Sequence, residues 1–158
     1  MDLEVIDIKN PDVHEIIIGQ GNFSVKTVID IFNQLKKAVP EIECGVAMNE
    51  AKPKLTRVEG NNEELKQLAA QACKEIGAGH TFVVYMKKAY PIGVLNELVQ
   101  VPGVVNVYVA TSNPLQIITT KTNLGKAVIG AVDGFSSDSI ETEVQKQERI
   151  GLLKKLGF

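Results

Sequence analysis

The segment Gly77-Ala78-Gly79-His80 contains the residues whose types most directly suggest chemistry. It follows an amphipathic helical pattern, and His80 opens an apolar run to Met86 that has the composition of a buried strand. Both glycines can adopt φ > 0 or bring the backbone close to a ligand. An imidazole at the mouth of a strand is well placed for proton or phosphoryl transfer. A single histidine at such a position is more often a structural residue. Its neighbouring residues must therefore decide whether it has a chemical function.

Charged residues elsewhere in the chain are candidate partners for phosphoryl chemistry. Transfer of a phosphoryl group needs cations around its oxygens, and Lys26 near a helix start and Lys126 after a glycine turn could supply them. Glu50 and Asp133 are candidate ligands for Mg²⁺. Each residue also has a simpler interpretation, because exposed lysines are the norm and Asp-Gly pairs are typical of turns.

None of the common phosphate-binding loops is present. The sequence has no G-x-x-x-x-G-K-[ST] motif and no kinase-type glycine loop with an H-R-D partner. Gly19-Gln20-Gly21 is expected to begin the loop between the second strand and the first helix, but it is too short to count as a phosphate-binding motif. Phosphoryl chemistry in this chain would therefore require an unusual site.

Length and composition favour one soluble globular domain over residues 1–158. The chain is 44% hydrophobic, and its net charge of -2 gives no electrostatic footprint for nucleic acid. Cys44 and Cys73 have no C-x-x-C partner, which indicates core residues in a protein of a reducing compartment. A disulfide between them is the alternative. No signal peptide or membrane span is predicted. We expect a cytoplasmic protein.

Hydrophobic periodicity and turn residues predict the elements that position these side chains. Two strands precede a helix with Ser24 as its N-cap; a hairpin, a second helix capped by Asn61 or Asn62, the His80–Met86 strand and a short helix follow. Three strands and a last helix starting near Asp138 complete the chain. The predicted strands are Leu3–Ile8, His14–Ile18, Cys44–Met48, Leu55–Val58, His80–Met86, Val104–Ala110, Leu115–Thr120 and Ala127–Val132. This order predicts an α/β domain with a mixed sheet flanked by helices.

The predicted elements also suggest an internal duplication. Residues 14–58 and residues 80–120 have the same predicted order of elements, namely strand, helix, strand, turn and strand. Asn49 and Asn113 lie in the matching turns. The match is one of pattern and not of identity. If it is real, the two turns approach one shared cleft.

Several ordered segments resemble the adenosine-specific kinase family, which occurs in archaea and some thermophilic bacteria. They are Gly77–His80, Ala110–Pro114 and Gly125–Gly134, together with Lys26-Thr27-Val28, Asn49-Glu50-Ala51 and the region of Arg149. The resemblance extends over nearly the full length. It implies a compact α/β domain, binding of adenosine or AMP, and a histidine able to carry phosphate. Only His80 matches that histidine.

The resemblance gives the candidate residues more specific roles. His80, Glu50 and Asp133 would be catalytic, with ATP as cofactor and Mg²⁺ as a further candidate cofactor. Glu50 or Asp133 could hold that ion or instead accept a ribose hydroxyl proton. Lys26, Gly79, Thr111, Asn113 and Lys126 would bind nucleotide. Phe23 or Tyr90 could stack on the base.

Two functions follow, in different classes. The first is an enzyme that transfers phosphate from ATP to adenosine through His80. The alternative is a sensor that binds AMP or adenosine without turnover, in which His80 only hydrogen-bonds the phosphate.

The C-terminal sequence predicts self-association. Leu156 and Phe158 extend past the expected end of the domain, whereas Leu152 and Leu153 are expected to face the core. Exposure of a large apolar side chain forgoes about 2 kcal/mol of burial. We expect a homo-oligomer, and the family resemblance favours a trimer.

Overall fold

A computed structural model describes residues 1–158 as eight strands and four helices. A 3₁₀ turn at Pro91–Gly93 precedes the third helix. The strands are β1 (Leu3–Asp7), β2 (Glu15–Gly21), β3 (Glu43–Glu50), β4 (Leu55–Gly60), β5 (Thr81–Lys87), β6 (Val104–Thr111), β7 (Leu115–Lys121) and β8 (Lys126–Asp133). The helices are α1 (Ser24–Ala38), α2 (Glu63–Ile76), α3 (Leu95–Leu98) and α4 (Glu143–Lys155). None of them is both long and apolar enough to span a membrane.

The strands form two sheets in which every pairing is antiparallel. The larger sheet has the order β4-β3-β5-β2-β6, and the smaller has the order β1-β7-β8. The prediction of a single α/β domain is confirmed. Where one mixed sheet was expected, the strands form two sheets that are antiparallel throughout. Only β3–β4 and β7–β8 pair as hairpins, whereas the other four pairings join strands that are not consecutive in the chain.

Strand β5 lies at the centre of the larger sheet and is buried on both faces. Val83 and Tyr85 belong to the core that α2 and the smaller sheet share with one face. Phe82, Val84 and Met86 belong to the core that α1 and α3 share with the other face. Burial on both sides explains why this strand reads as a continuous apolar run.

The cysteines lie in these two cores, as the sequence predicts. Cys44 and Cys73 are fully buried free thiols. Burial raises the pKa of the Cys44 thiol to about 11 and that of Cys73 to about 12, so both are neutral at physiological pH.

Helix ends depart from the sequence prediction in two places. Ser24 is the first residue of α1 and not its N-cap, because Phe23 occupies the cap position in a left-handed conformation without a side-chain cap. The last helix begins at Glu143, capped by Thr142 in a capping box with Gln145, and not near Asp138. At α2 the cap is Asn62, whose side chain accepts from Leu65 N–H.

Three further expectations are corrected by the packing. Gly19-Gln20-Gly21 belongs to β2 and is not a loop. Leu152 and Leu153 do not face the core, since no residue of α4 is buried. The proposed duplicate segments occupy different places: β3 and β4 pair within the larger sheet, whereas β6 and β7 belong to different sheets.

Helix α2 approaches β3 so closely that Gly45 has no room for a side chain. A Cβ at Gly45 would lie 2.3 Å from the backbone C and O atoms of Leu65. We expect Gly45→Ala to destabilise the protein by about 1–3 kcal/mol or more, because backbone atoms cannot move aside as a side chain can. Urea unfolding measures the change. Gly130→Ala is the matched control, since that strand glycine has no atom within 4 Å of its Cβ position, and an equal loss in both variants would contradict the explanation.

Candidate functional site

An open cleft of about 890 Å³ lies at the end of the larger sheet where β5 begins. The end of β3, the start of β4, the C-terminal end of α2 and the β7–β8 turn meet there. The lining residues are Asn49, Glu50, Ala51, Lys54, Leu55, Thr56, Lys74, Gly77, Gly79, Thr122, Leu124, Gly125, Lys126 and Ala127. Three of the sequence-predicted residues, Glu50, Gly79 and Lys126, are thus brought together.

The cleft is positively charged. Lys54, Lys74 and Lys126 line it, and Glu50 is its only acidic lining residue. Arg57 Nε donates to Glu50 Oε2 at 2.5 Å, so this carboxylate is already paired with a cation. A concave surface with an excess of lysines raises the local concentration of anions.

Lys126 is held at the cleft by two contacts. Its Nζ lies 3.3 Å from a carboxylate oxygen of Glu4 and donates to the carbonyl of Glu75 at 3.4 Å. The carbonyl of Glu75 lies in the last turn of α2, where the helix macrodipole favours a cation. Only 17% of the Lys126 side chain is exposed, so this lysine is not a freely solvated one.

Asn49 fixes the shape of the cleft through its buried side-chain amide. Asn49 Nδ2 donates to the carbonyls of Cys73 and Ala78, both at 2.9 Å. Asn49 Oδ1 accepts from the Thr56 hydroxyl at 2.8 Å. One side chain therefore joins the end of α2, the glycine turn and β4.

His80 adjoins the cleft but is not among its lining residues. Its backbone has φ 57°, in the left-handed region, immediately before β5. His80 N–H donates to the carbonyl of Asn49 at 3.1 Å, and the His80 carbonyl accepts from Gly21 N–H at 2.9 Å. These bonds tie the histidine to β3 and β2, and they place it directly after Gly79, which does line the cleft.

Gln20 holds the glycine turn beside the cleft, a supporting role that sequence reasoning missed. Its Nε2 donates to the carbonyl of Gly79 at 3.1 Å, and its Oε1 accepts from the Tyr108 hydroxyl at 2.8 Å. Gln20 is paired with Thr81, so β2 places it beside the glycine turn. A signal in the sequence was its position between two glycines, which indicates close packing of a strand as readily as it indicates a loop.

Thr111, Asn113 and Asp133 lie towards the opposite end of the sheet. Thr111 is paired with Ile16 of β2, whereas the start of β5 is paired with Gln20. At about 3.4 Å per residue this separation is about 14 Å along the strand. Asn113 Nδ2 donates to Asp133 Oδ1 at 3.1 Å, which joins the β6–β7 turn to the end of β8. The two turns at Asn49 and Asn113 therefore do not form a shared cleft.

Lys26 lies on the other side of the larger sheet. It belongs to α1 and forms an ion pair with Asp30 one turn further along the same helix. The cleft is formed on the side of α2, so Lys26 does not reach it within one chain. The stacking candidates Phe23 and Tyr90 are exposed and are not lining residues either.

The fold and the cleft define a single-domain α/β protein with a cationic site suited to a small anionic ligand. The chain belongs to the adenosine-specific kinase family, because the profile of the family described as "Adenosine specific kinase" matches residues 6–158. The family resemblance seen in the sequence is thereby confirmed. No curated protein matches the chain.

A solved structure is similar over almost the whole chain. It is the crystal structure of the PH1918 protein from Pyrococcus horikoshii OT3, with 54% sequence identity and a TM-score of 0.97. The match covers 99% of this chain and 97% of that one. Family membership supports an adenosine-related kinase function for the chain.

Proposed function

We propose that this protein transfers the γ-phosphoryl group of ATP to adenosine, with His80 as the covalent carrier. The observation that carries the proposal is the lysine-lined cleft next to Gly79 and His80, in a chain of the adenosine-specific kinase family. Lys54, Lys74 and Lys126 would neutralise phosphate oxygens, and Gly79 would let the backbone approach the nucleotide.

The proposed reaction has two steps. A neutral imidazole nitrogen of His80 attacks the γ-phosphorus, the bond to the β–γ bridging oxygen breaks, and ADP leaves. A hydroxyl oxygen of adenosine then attacks the phosphorus, the P–N bond breaks, and AMP and neutral His80 are formed as the hydroxyl proton is released to a base. Glu50 is the only lining carboxylate able to accept that proton.

Mg²⁺ would enter the cleft together with ATP. Glu50 Oε2 is engaged by Arg57 and the other oxygen of Glu50 is assigned to the hydroxyl proton, so this carboxylate would reach the ion only through water. That donor set fits a Mg²⁺ ion held mainly by water and substrate phosphates, the usual arrangement for this metal. Asp133 is too far from Glu50 along the sheet to complete a shared metal site within one chain.

A sensor function is the second candidate, and one observation favours it. His80 does not line the cleft, and its backbone is held by hydrogen bonds to two strands. A protein with this arrangement could bind AMP through the lysines without any covalent step.

Incubation with γ-labelled ATP separates the two functions. We expect acid-labile, base-stable label on the wild-type chain and its transfer on addition of adenosine. His80→Asn should abolish labelling and preserve the fold, because Asn tolerates the left-handed backbone at this position. Lys88→Asn is the matched control, since Lys88 also has positive φ (64°) and lies beyond the other end of β5. Undiminished labelling of His80→Asn would exclude His80 as carrier, and AMP binding without any labelling would favour the sensor.

Lys126 is expected to bind the phosphate and not the nucleoside. We predict that Lys126→Met weakens AMP binding by about 1–2 kcal/mol, the size of a lost charge-assisted contact, and leaves adenosine binding nearly unchanged. Isothermal titration calorimetry with both ligands measures the difference. Lys121→Met is the control, because Lys121 is paired with Lys126 across β7 and β8 but is not a lining residue. Equal losses for AMP and adenosine would remove Lys126 from the phosphate side.

The exposed C-terminal helix supports a further part of the proposal, a homo-oligomer, with a trimer favoured by the family resemblance. Helix α4 has 13 residues and buries none of them, and a free helix of this length is marginally stable in water. Leu152 and Leu153 of α4, Leu156 at its C-cap and Phe158 beyond it are all exposed. Packing of α4 on a second copy would bury them in a closed symmetric assembly.

Sedimentation velocity tests this assembly. We expect an oligomer for the full chain at micromolar concentration and dissociation of the triple variant Leu152→Gln, Leu153→Gln and Leu156→Gln. Ile92→Gln is the control, since Ile92 is 80% exposed and lies outside α4. A wild-type chain that sediments as a monomer would refute the proposal.

A further inference from the structure

His14 is a buried imidazole with no role in the proposed reaction. Its side chain is only 10% exposed. Its Nε2 is fully enclosed and has no hydrogen-bond partner. Two carboxylate oxygens lie close to it, Glu64 Oε1 at 3.6 Å and Asp12 Oδ2 at 4.0 Å, and both are too far for a direct hydrogen bond. A buried polar atom aimed between two carboxylates without contacting either calls for an explanation.

The turn that carries Asp12 and His14 is rigidly held. Asn10 clamps the backbone of His14 on both sides: Nδ2 donates to its carbonyl and Oδ1 accepts from its N–H, both at 2.8 Å. The Tyr85 hydroxyl of β5 donates to the carbonyl of Lys9 at 2.5 Å, which anchors the turn to the core. Val13 has φ 54°, a conformation that a β-branched residue rarely adopts. Such strain persists only where the surroundings impose it, and it often marks a functional position.

Glu64 is positioned by a separate element. It is the second residue of α2, whose start is fixed by Asn62. Asn62 Oδ1 accepts from Leu65 N–H, and Asn62 Nδ2 donates to Glu43 Oε1 at 2.9 Å. Asp12 and His14 therefore lie on a turn held by hydrogen bonds, and Glu64 lies on the capped first turn of α2. Their side chains meet between these two elements.

The spacing of the three donor atoms suits a shared metal ion. One atom from each side chain lies within 4.8 Å of the other two. Ligands about 2.1 Å from a tetrahedral ion are about 3.4 Å apart, so the 3.6 Å and 4.0 Å separations need only small adjustments. Two carboxylates would also cancel the charge of a divalent cation. Lys9 and Lys74 are the only cationic residues that line the groove beside Glu64.

We propose that Asp12, His14 and Glu64 form a binding site for a divalent transition-metal ion of the Zn²⁺ class. A set of one imidazole and two carboxylates favours Zn²⁺ or Co²⁺ over Mg²⁺ or Ca²⁺, which prefer oxygen ligands alone. Three protein ligands leave a fourth position for water. The ion cross-links the turn between β1 and β2 to the first turn of α2, the helix whose other end carries Gly77 to His80.

The test is Co²⁺ titration of the chelator-treated full-length protein, followed by visible absorption and calorimetry. We expect one ion per chain with the d–d bands of a four- or five-coordinate N/O site. His14→Gln should weaken binding at least tenfold, and Glu64→Gln, whose side chain is 57% exposed and unimportant for packing, should do the same. His80→Asn removes the only other histidine and should bind Co²⁺ as the wild type does.

Several results would overturn the proposal. These are no saturable Co²⁺ binding, unchanged affinity in both His14→Gln and Glu64→Gln, or loss of binding in His80→Asn. Intense thiolate charge-transfer bands would place the ion on Cys44 or Cys73 and would also overturn it. Zn²⁺ should compete with Co²⁺ for the same site, and failure to displace it would exclude the Zn²⁺ class.

Discussion

The buried amide of Asn49 is the interaction on which the cleft depends. Only 7% of the residue is exposed, and both amide protons and the amide oxygen are used. A polar group buried without partners would cost 1–3 kcal/mol or more, whereas a fully satisfied one fixes its neighbours. Because the two carbonyls it binds belong to the end of α2 and to the glycine turn, the path of the chain into His80 follows from this one side chain. The carbonyl of Asn49 itself accepts from His80 N–H.

Strand β5 imposes the second constraint on His80. The strand is buried on both faces and paired on both edges, so its register cannot slip without exposing large apolar side chains. The chain must leave α2 and enter this fixed register within four residues, and His80 adopts φ 57° as a result. A left-handed non-glycine residue costs about 1–2 kcal/mol. The hydrogen bonds of its N–H and carbonyl offset that cost.

Local features of the fold were predictable from sequence, whereas long-range pairing was not. The α2 cap, the β3–β4 hairpin and the buried character of β5 follow from residue types over short windows. The glycines of β2 were mistaken for a loop because the contact that requires Gly19 is made by a residue distant in sequence. A Cβ at Gly19 would collide with the ring of Phe82. The separation of Asn113 and Asp133 from Glu50 likewise depends on how β6, β7 and β8 pair. The metal-site candidate joins positions 12, 14 and 64, which no sequence spacing brings together.

The charge of the chain illustrates why whole-sequence quantities cannot identify a site of this size. A net charge of -2 argues against binding a long polyanion, whose affinity grows with the number of neutralised phosphates. It does not argue against binding of a small anion. Salt screens interactions beyond about 10 Å, so only the charges nearest to the anion affect its binding. The charges that line the cleft are three lysines and one carboxylate. That carboxylate is paired with Arg57, and Glu4 beside the cleft is paired with Lys126. The local excess of positive charge is thus created by folding, which brings Lys54 of the β3–β4 turn, Lys74 of α2 and Lys126 of β8 together around the end of one helix.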